Sequence, residues 1–331
     1  YDGSFIAGLM ELRYIQSLPV ERIINYFESH GFTLKKPTAH KLIEKASSLF
    51  ENLYKCIRQT ALSDPYKAAD ETYYKILVPE KNSKGKGVRK GYLWVVVGIN
   101  TRMIYLLYDD GSRSERVILN ELGSCKGIIQ SDGYSPYRKL ESDAYPNITR
   151  IPCLQHIKRK FIDCGEKDPD AKRIVELINA LYQNEHKHKI EVEGWTVEQN
   201  LMHRKKYAPD ILGEIKDVLD EIEERGDLLP KSELQEAITY LRNEWNAVVD
   251  IFNYGDTYLD NNMVGVSRGH YNMMLLAGIM EILSATIKEM RVGPSQSVYR
   301  NRLQTITSCV LSNQKVVNVV CNKSEDMVRY V

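Results

Sequence analysis

Net charge is scarce in this 331-residue chain: 45 Lys and Arg offset 44 Asp and Glu, leaving a formal charge of +1. No global field therefore drives it onto DNA or an acidic membrane, and any nucleic-acid surface has to be local. Long apolar runs are missing too. None reaches the ~20 residues that a membrane-spanning helix requires. Paired cysteines are also missing. Cys56, Cys125, Cys153, Cys164, Cys309 and Cys321 lie far apart and none forms a C-x-x-C pair. That spacing fits neither a zinc ribbon nor a small disulfide scaffold, and a reducing cytoplasm is the default compartment. The chain opens Tyr1-Asp2-Gly3-Ser4, without Met and without a charged stretch leading into an apolar one. This reads as a fragment or a processed chain.

What is present suffices for real cores. Hydrophobic residues make up 43%, and the length allows two or three domains at roughly 100–200 residues each. Residues 1–62 read as helical. Ile6, Leu9, Met10, Leu12 and Ile15 give one apolar stripe, and Val20, Ile23, Ile24 and Phe27 another. Pro19 suits a first helical turn, Gly31 ends that helix, and Thr38–Phe50 carries a third. Helix, glycine-containing break, helix resembles a helix-turn-helix, with Lys35, Lys36 and Lys41 as candidate phosphate contacts. An ordinary helical bundle with a solvated basic face would look the same.

The period then changes. Tyr73–Val78, Tyr92–Ile99 and Met103–Tyr108 read as strands, with Asn100-Thr101-Arg102 as a hairpin turn. Val117–Leu122 reads as a helix, Gly127–Gln130 and Ile148–Pro152 as further strands. Three strands followed by alternating helices and strands predict an α/β fold around a mixed, ribonuclease-H-like sheet. The loop before Tyr92 holds Lys84, Lys86, Arg89 and Lys90, a phosphate-contacting loop or simply a solvated one. Residues 168–253 return to helical period, with Ser232 as a cap, and read as a large all-α insertion. The expected domains are 1–62 (helical, DNA-binding), 63–165 (core, first part), 166–253 (insertion) and 254–331 (core, C-terminal part).

Two acids stand at strand ends: Asp70, just before or within the first strand, and Asp132, directly after the fourth. The first and fourth strands are neighbours in a ribonuclease-H-like sheet, so the two carboxylates meet at one edge. Two such charges repel by roughly 4 kcal/mol at an effective dielectric near 20. A hard dication relieves that repulsion, and a pair of Mg²⁺ or Mn²⁺ ions is the expected cofactor. By itself, each aspartate also passes for an ordinary turn residue.

At these residues the chain resembles a known family, the insertion-sequence-sixty-six (IS66) transposases of bacteria. Ala69-Asp70-Glu71-Thr72 resembles its first-acid motif, Gly91-Tyr92-Leu93-Trp94-Val95 its next strand, and Ser112-Arg113-Ser114 its SRS turn. Gln130-Ser131-Asp132-Gly133-Tyr134 is similar to its second-acid motif. Cys153-x-x-His156-x-x-Arg159-Lys160-Phe161 matches its C-x-x-H segment, and Ser232 to Trp245 the last helix of its insertion. Asp260-Asn261-Asn262 matches the D-N-N that precedes the family's third acid.

The resemblance implies that Asp70 and Asp132 are catalytic metal ligands. Arg159 and Lys160 are candidate phosphate contacts or a plain solvated helix face, and His156, Asp260, Asn261 and Asn262 are candidate support for the site. The resemblance also implies double-stranded DNA partners (element ends and target), a homo-oligomer on DNA, accessory proteins encoded by the element, and a nucleoid-associated cytoplasmic protein. Two departures stand out. Gly265 occupies the position expected for the third acid, Glu. The family's cysteine-rich N-terminal region also has no counterpart. The expectation is therefore a DNA transposase that cleaves and joins strands, inactive in this copy, or else a DNA-binding remnant that occupies element ends. A resolvase-like nuclease on the same fold fits less well, because of the long insertion before Asp260.

Overall fold

The computed structural model describes residues 1–77, 87–165, 168–185, 190 and 193–261. Lys84, Lys86, Asn262 and Gly265 lie outside the described residues. The chain divides into two compact units. Of the described residues, the first takes Tyr1–Leu62 and Glu71–Arg113, and the second takes Ser63–Asp70 and those from Ser114 to Asn261.

In the first unit, helices α1 (Gly3–Met10), α2 (Val20–Ser29) and α3 (Lys36–Ser48) enclose a core of Leu9, Met10, Tyr14, Ile23, Leu34 and Ile43. Asp2 caps α1 by accepting from the Phe5 N–H at 2.9 Å. Pro19 sits one residue earlier than the expected first turn, in the capping position of α2, where its lack of an N–H costs nothing. The third helix starts at Lys36 rather than Thr38, because Pro37 fits a first turn. A fourth helix, α4 (Glu51–Ser63), follows it. Its Tyr54 hydroxyl donates to the Leu106 carbonyl at 3.0 Å and docks it on strand β3 (Ile104–Leu107). That strand pairs antiparallel with β2 (Val88–Gly98), from Trp94 opposite Leu107 to Val97 opposite Ile104. The hairpin turn falls at Asn100-Thr101-Arg102 as expected, with Arg102 at φ 55°.

Strand β1 (Tyr66–Leu77) starts seven residues before the expected Tyr73. It gives its first five residues to the second unit and the rest to the first. Those five are buried on both faces and so lack the alternation that betrays a half-exposed strand. The strand order is β3-β2-β1-β4-β5, with β4 at Gly127–Ser131 and β5 at Ile148–Pro152. Within the second unit β1, β4 and β5 are parallel. Their connections carry α5 (Glu115–Leu122) before β4 and the short α6 (Ser135–Arg138) after it.

The rest of that unit is helical: α7 (Leu154–Asp163), α8 (Pro169–Asn184), α9 (Val197–Arg225) and α10 (Glu233–Ile251). Helix α9 is longer than its apolar stripe from Ile211 suggests. A capping box of Thr196 and Gln199 starts it well before Pro209. Ser232 caps α10 as expected, accepting from the Gln235 N–H at 3.2 Å. No helix among the described residues is long and apolar enough to cross a membrane.

Candidate active site

The second unit contains both candidate acids. Strands β1 and β4 pair with Tyr66 opposite Ile128, Lys67 opposite Ile129 and Ala68 opposite Gln130. Two residues beyond Ala68 and Gln130 stand Asp70 and Asp132. The paired register runs to Ala68 opposite Gln130; Asp70 follows within β1, and Asp132 stands directly after β4 ends at Ser131. Asp70 is buried, with 6% of its surface exposed. Asp132 is half-buried, and its Oδ1 accepts from the Tyr134 N–H at 3.1 Å, an Asx turn closing the loop after β4. Glu71, the next residue after Asp70, pairs instead with Arg113.

The glycine after Asp132 has a steric reason. A Cβ on Gly133 would stand 2.7 Å from the ring and hydroxyl of Tyr240, on α10. The Gly133 N–H donates to that hydroxyl at 2.7 Å. Burial first, and the Asp132 carboxylate second, push the Tyr240 hydroxyl above its ordinary range and keep it protonated. Behind the same loop Arg150, on β5, is fully buried and pairs with Glu244 at 2.5 Å and with Glu141. Burial opposes the Arg150 charge, but Glu244 and Glu141 outweigh it. Glu244 is itself raised by burial, against the pull of Arg150.

The segment after α10 returns to this edge of the sheet through a chain of buried polar contacts. Arg204, on α9, donates to the Thr257 Oγ1 at 2.8 Å and to the Thr257 and Tyr254 carbonyls, each at 2.5 Å. Gln130 donates to the Tyr258 carbonyl at 2.9 Å and accepts from the Tyr66 hydroxyl at 2.7 Å. The Leu154 N–H donates to the Leu259 carbonyl at 2.9 Å. Asn261 then donates its side-chain amide to the Ala69 carbonyl at 3.4 Å, one residue from Asp70. Asp260 lies close enough to act electrostatically on Cys153 and Tyr182. Burial is the larger cause in both, and it pushes the Cys153 thiol up to about 11.

Other candidates are spread out. His156, Arg159 and Lys160 lie on α7, and Lys160 sits 5.8 Å over the Tyr240 ring. In the first unit Lys35, Lys36 and Lys41 are exposed at the start of α3, with Lys36 already paired to Glu21. Arg89 pairs with Asp110 at 2.6 Å, and Lys90 lies over the Tyr73 ring. Among the described residues no three His, Cys, Asp or Glu side chains gather into a metal-holding group. What an aspartate on β1 and another directly after the neighbouring β4 do offer is hard anionic oxygen, a donor type suited to Mg²⁺ or Mn²⁺ and not to a soft ion. Sequence reasoning passed over Arg150, Arg204 and Glu244 as binding or supporting residues, because a charged side chain in a helix or strand ordinarily faces water.

Comparison with known proteins agrees with the motifs. A family model described as "Transposase IS66 family" matches residues 1–265. The curated "Uncharacterized protein y4jD" of Sinorhizobium fredii is 25% identical over 272 residues, covering 78% of this chain and 51% of that protein. "Uncharacterized protein y4qI" of the same organism is 26% identical over 211 residues, covering 59% and 37%. The chain thus spans about half, or less, of the curated relatives it matches. A solved structure titled "Drosophila P element transposase strand transfer complex" aligns at 14% identity with a TM-score of 0.37, over 86% of this chain and 92% of that one. With the family model spanning most of its length, the chain belongs to the IS66 transposase family.

Proposed function

We propose that this chain acts on DNA through a ribonuclease-H-like core in which Asp70 and Asp132 are the first two metal-holding acids. The observation that supports the reading is the parallel pairing of β1 with β4, since Asp70 lies on the first strand two residues past the paired Ala68 and Asp132 directly follows the second. The strand order, an antiparallel hairpin edge followed by parallel β1, β4 and β5, supports the fold assignment. In this reading residues 1–62 form a helical DNA-contacting region and 166–253 an insertion, and 63–165 with 254–261 belong to the core; the rest of the expected C-terminal part lies outside the described residues. Asp70 contributes a carboxylate from a buried strand. Asp132 contributes its Oδ2, with Oδ1 engaged by the Tyr134 N–H. Divalent ions held there would supply Lewis acidity for phosphodiester cleavage and strand transfer. Asp260 and Asn261 support the edge of the site, and Lys35, Lys41, Arg159 and Lys160 are exposed cations available to phosphates.

A second reading rests on Gly265, which stands where the resemblance expects Glu. Without that acid the chain would bind element ends, alone or as an oligomer with accessory proteins, and cut them poorly or not at all. One assay separates the two: Mn²⁺-dependent nicking of an element-end duplex by the parent chain and by Asp70→Ala. Nicking by the parent that Asp70→Ala abolishes establishes the enzyme. Binding by both without nicking establishes the remnant. Nicking unaffected by Asp70→Ala removes Asp70 from the site.

A further inference from the structure

The two polar atoms of the peptide that joins Asp132 to Gly133 are both held by side chains from outside the loop. On one edge the Asp132 carbonyl accepts from Arg150 Nη1 at 3.2 Å and from Ser131 Oγ at 2.9 Å. On the other edge the Gly133 N–H donates to the Tyr240 hydroxyl at 2.7 Å. One residue before Asp132, the Ser131 carbonyl accepts from the Cys153 N–H at 3.0 Å. With the peptides on either side of Asp132 fixed, its Cα–Cβ direction is fixed as well. The clamp has a common source. Tyr240 and Glu244 are one turn apart on α10, and Glu244 holds Arg150 through a pair that is buried at both ends. Orientation, not charge, is what these groups deliver to the acid. None of them needs to touch whatever Asp132 binds.

From this juxtaposition we propose that Tyr240 and the Arg150–Glu244 pair are positioning residues for Asp132, so that helix α10 sets the metal affinity of the acid pair. The proposal rests on the reading of Asp132 as a metal ligand. Residues that orient a ligand through hydrogen bonds typically change metal affinity by about 10–100-fold when substituted.

The test is the dissociation constant for Mn²⁺, read from the electron paramagnetic resonance of the free ion. It compares the parent chain with Asp132→Asn, Tyr240→Phe, Glu244→Gln and Ile178→Ala. The last removes buried bulk from α8 and controls for reduced stability. Thermal unfolding of each variant confirms that it is folded at the measuring temperature. The expected result is binding weakened by about 10–100-fold in Tyr240→Phe and Glu244→Gln and unchanged in Ile178→Ala. Parent-like binding in Tyr240→Phe and Glu244→Gln, with binding abolished in Asp132→Asn, overturns the positioning role and leaves the acid assignment standing. Equal weakening in Ile178→Ala also overturns it, because the effect is then general. Parent-like binding in Asp132→Asn overturns the acid assignment and this proposal together.

Discussion

Replacing Arg204 with Leu should detach the segment that carries Asp260 and Asn261. Arg204 is fully buried and reaches five acceptors: Glu185 Oε2 at 3.0 Å, the Ile251 and Tyr254 carbonyls, and both oxygens of Thr257. Leu fills much of the space but satisfies none of them. Breaking one side of a buried ion pair costs about 3–5 kcal/mol. Glu185 keeps only 11% of its side chain in water, so little solvent is available to compensate it. At about 2–4 °C per kcal/mol for a unit of 150–250 residues, the melting temperature should fall by roughly 6–20 °C. The loss should be local as well as global. Hydrogen exchange read by mass spectrometry should accelerate at the Tyr254–Asn261 amides more than in β4 or β5. Glu185→Gln, which keeps the hydrogen bond but removes the charge, should show a smaller drop and the same pattern. A fall below about 2 °C, or exchange that rises evenly across the unit, would refute the view that Arg204 anchors this segment.

Three further outcomes follow from the geometry. Gly133→Ala should cost about 1–3 kcal/mol by chemical denaturation, because its Cβ meets Tyr240 at 2.7 Å; Tyr240→Ala in the same chain should recover part of that loss. The Cys153 thiol should resist iodoacetamide at pH 8 in the folded protein, as read by mass spectrometry of its peptide. Its value, about 11 against an ordinary 9.0, means that folding favours the protonated thiol. The associated stability is complete below pH 9 and is lost as pH rises through 11. On DNA, substituting Lys35 and Lys41, or Lys84, Lys86, Arg89 and Lys90, should flatten the salt dependence by about 0.9 log units for each phosphate that is no longer neutralised. Lys36 and Arg89, each tied to an acid, should contribute least.

Periodicity made most elements legible. The β2 run of Val95, Val96 and Val97 and the Ser232 cap could be placed from residue type alone. The first half of β1 could not, because burial on both faces erases alternation and Lys67 interrupts the apolar run. That lysine is buried and donates to the Lys126 carbonyl at 2.9 Å. The candidate site was half legible. Asp70 and Asp132 could be singled out as candidates from their place on or after a strand, whereas the buried charges of Arg150, Arg204 and Glu244 look in sequence like solvated ones. For Arg204 a signal exists. It stands four residues after Asn200 and four before Ala208, all three buried on the stripe that α9 turns inward. Extending that stripe back through Pro209 would have placed a buried guanidinium there. Arg150 gives no such hint. On the buried β5 a polar residue looks like any outward-facing one until Glu244 arrives from 94 positions away.

Whether Asp70 and Asp132 together hold a divalent ion can be read from anomalous scattering by crystals of the chain soaked in Mn²⁺. The expected result is a peak within bonding distance of both carboxylates, absent from Asp132→Asn crystals. A peak at Cys153 and His156 instead, or a peak at Asp70 that persists in Asp132→Asn, would contradict it.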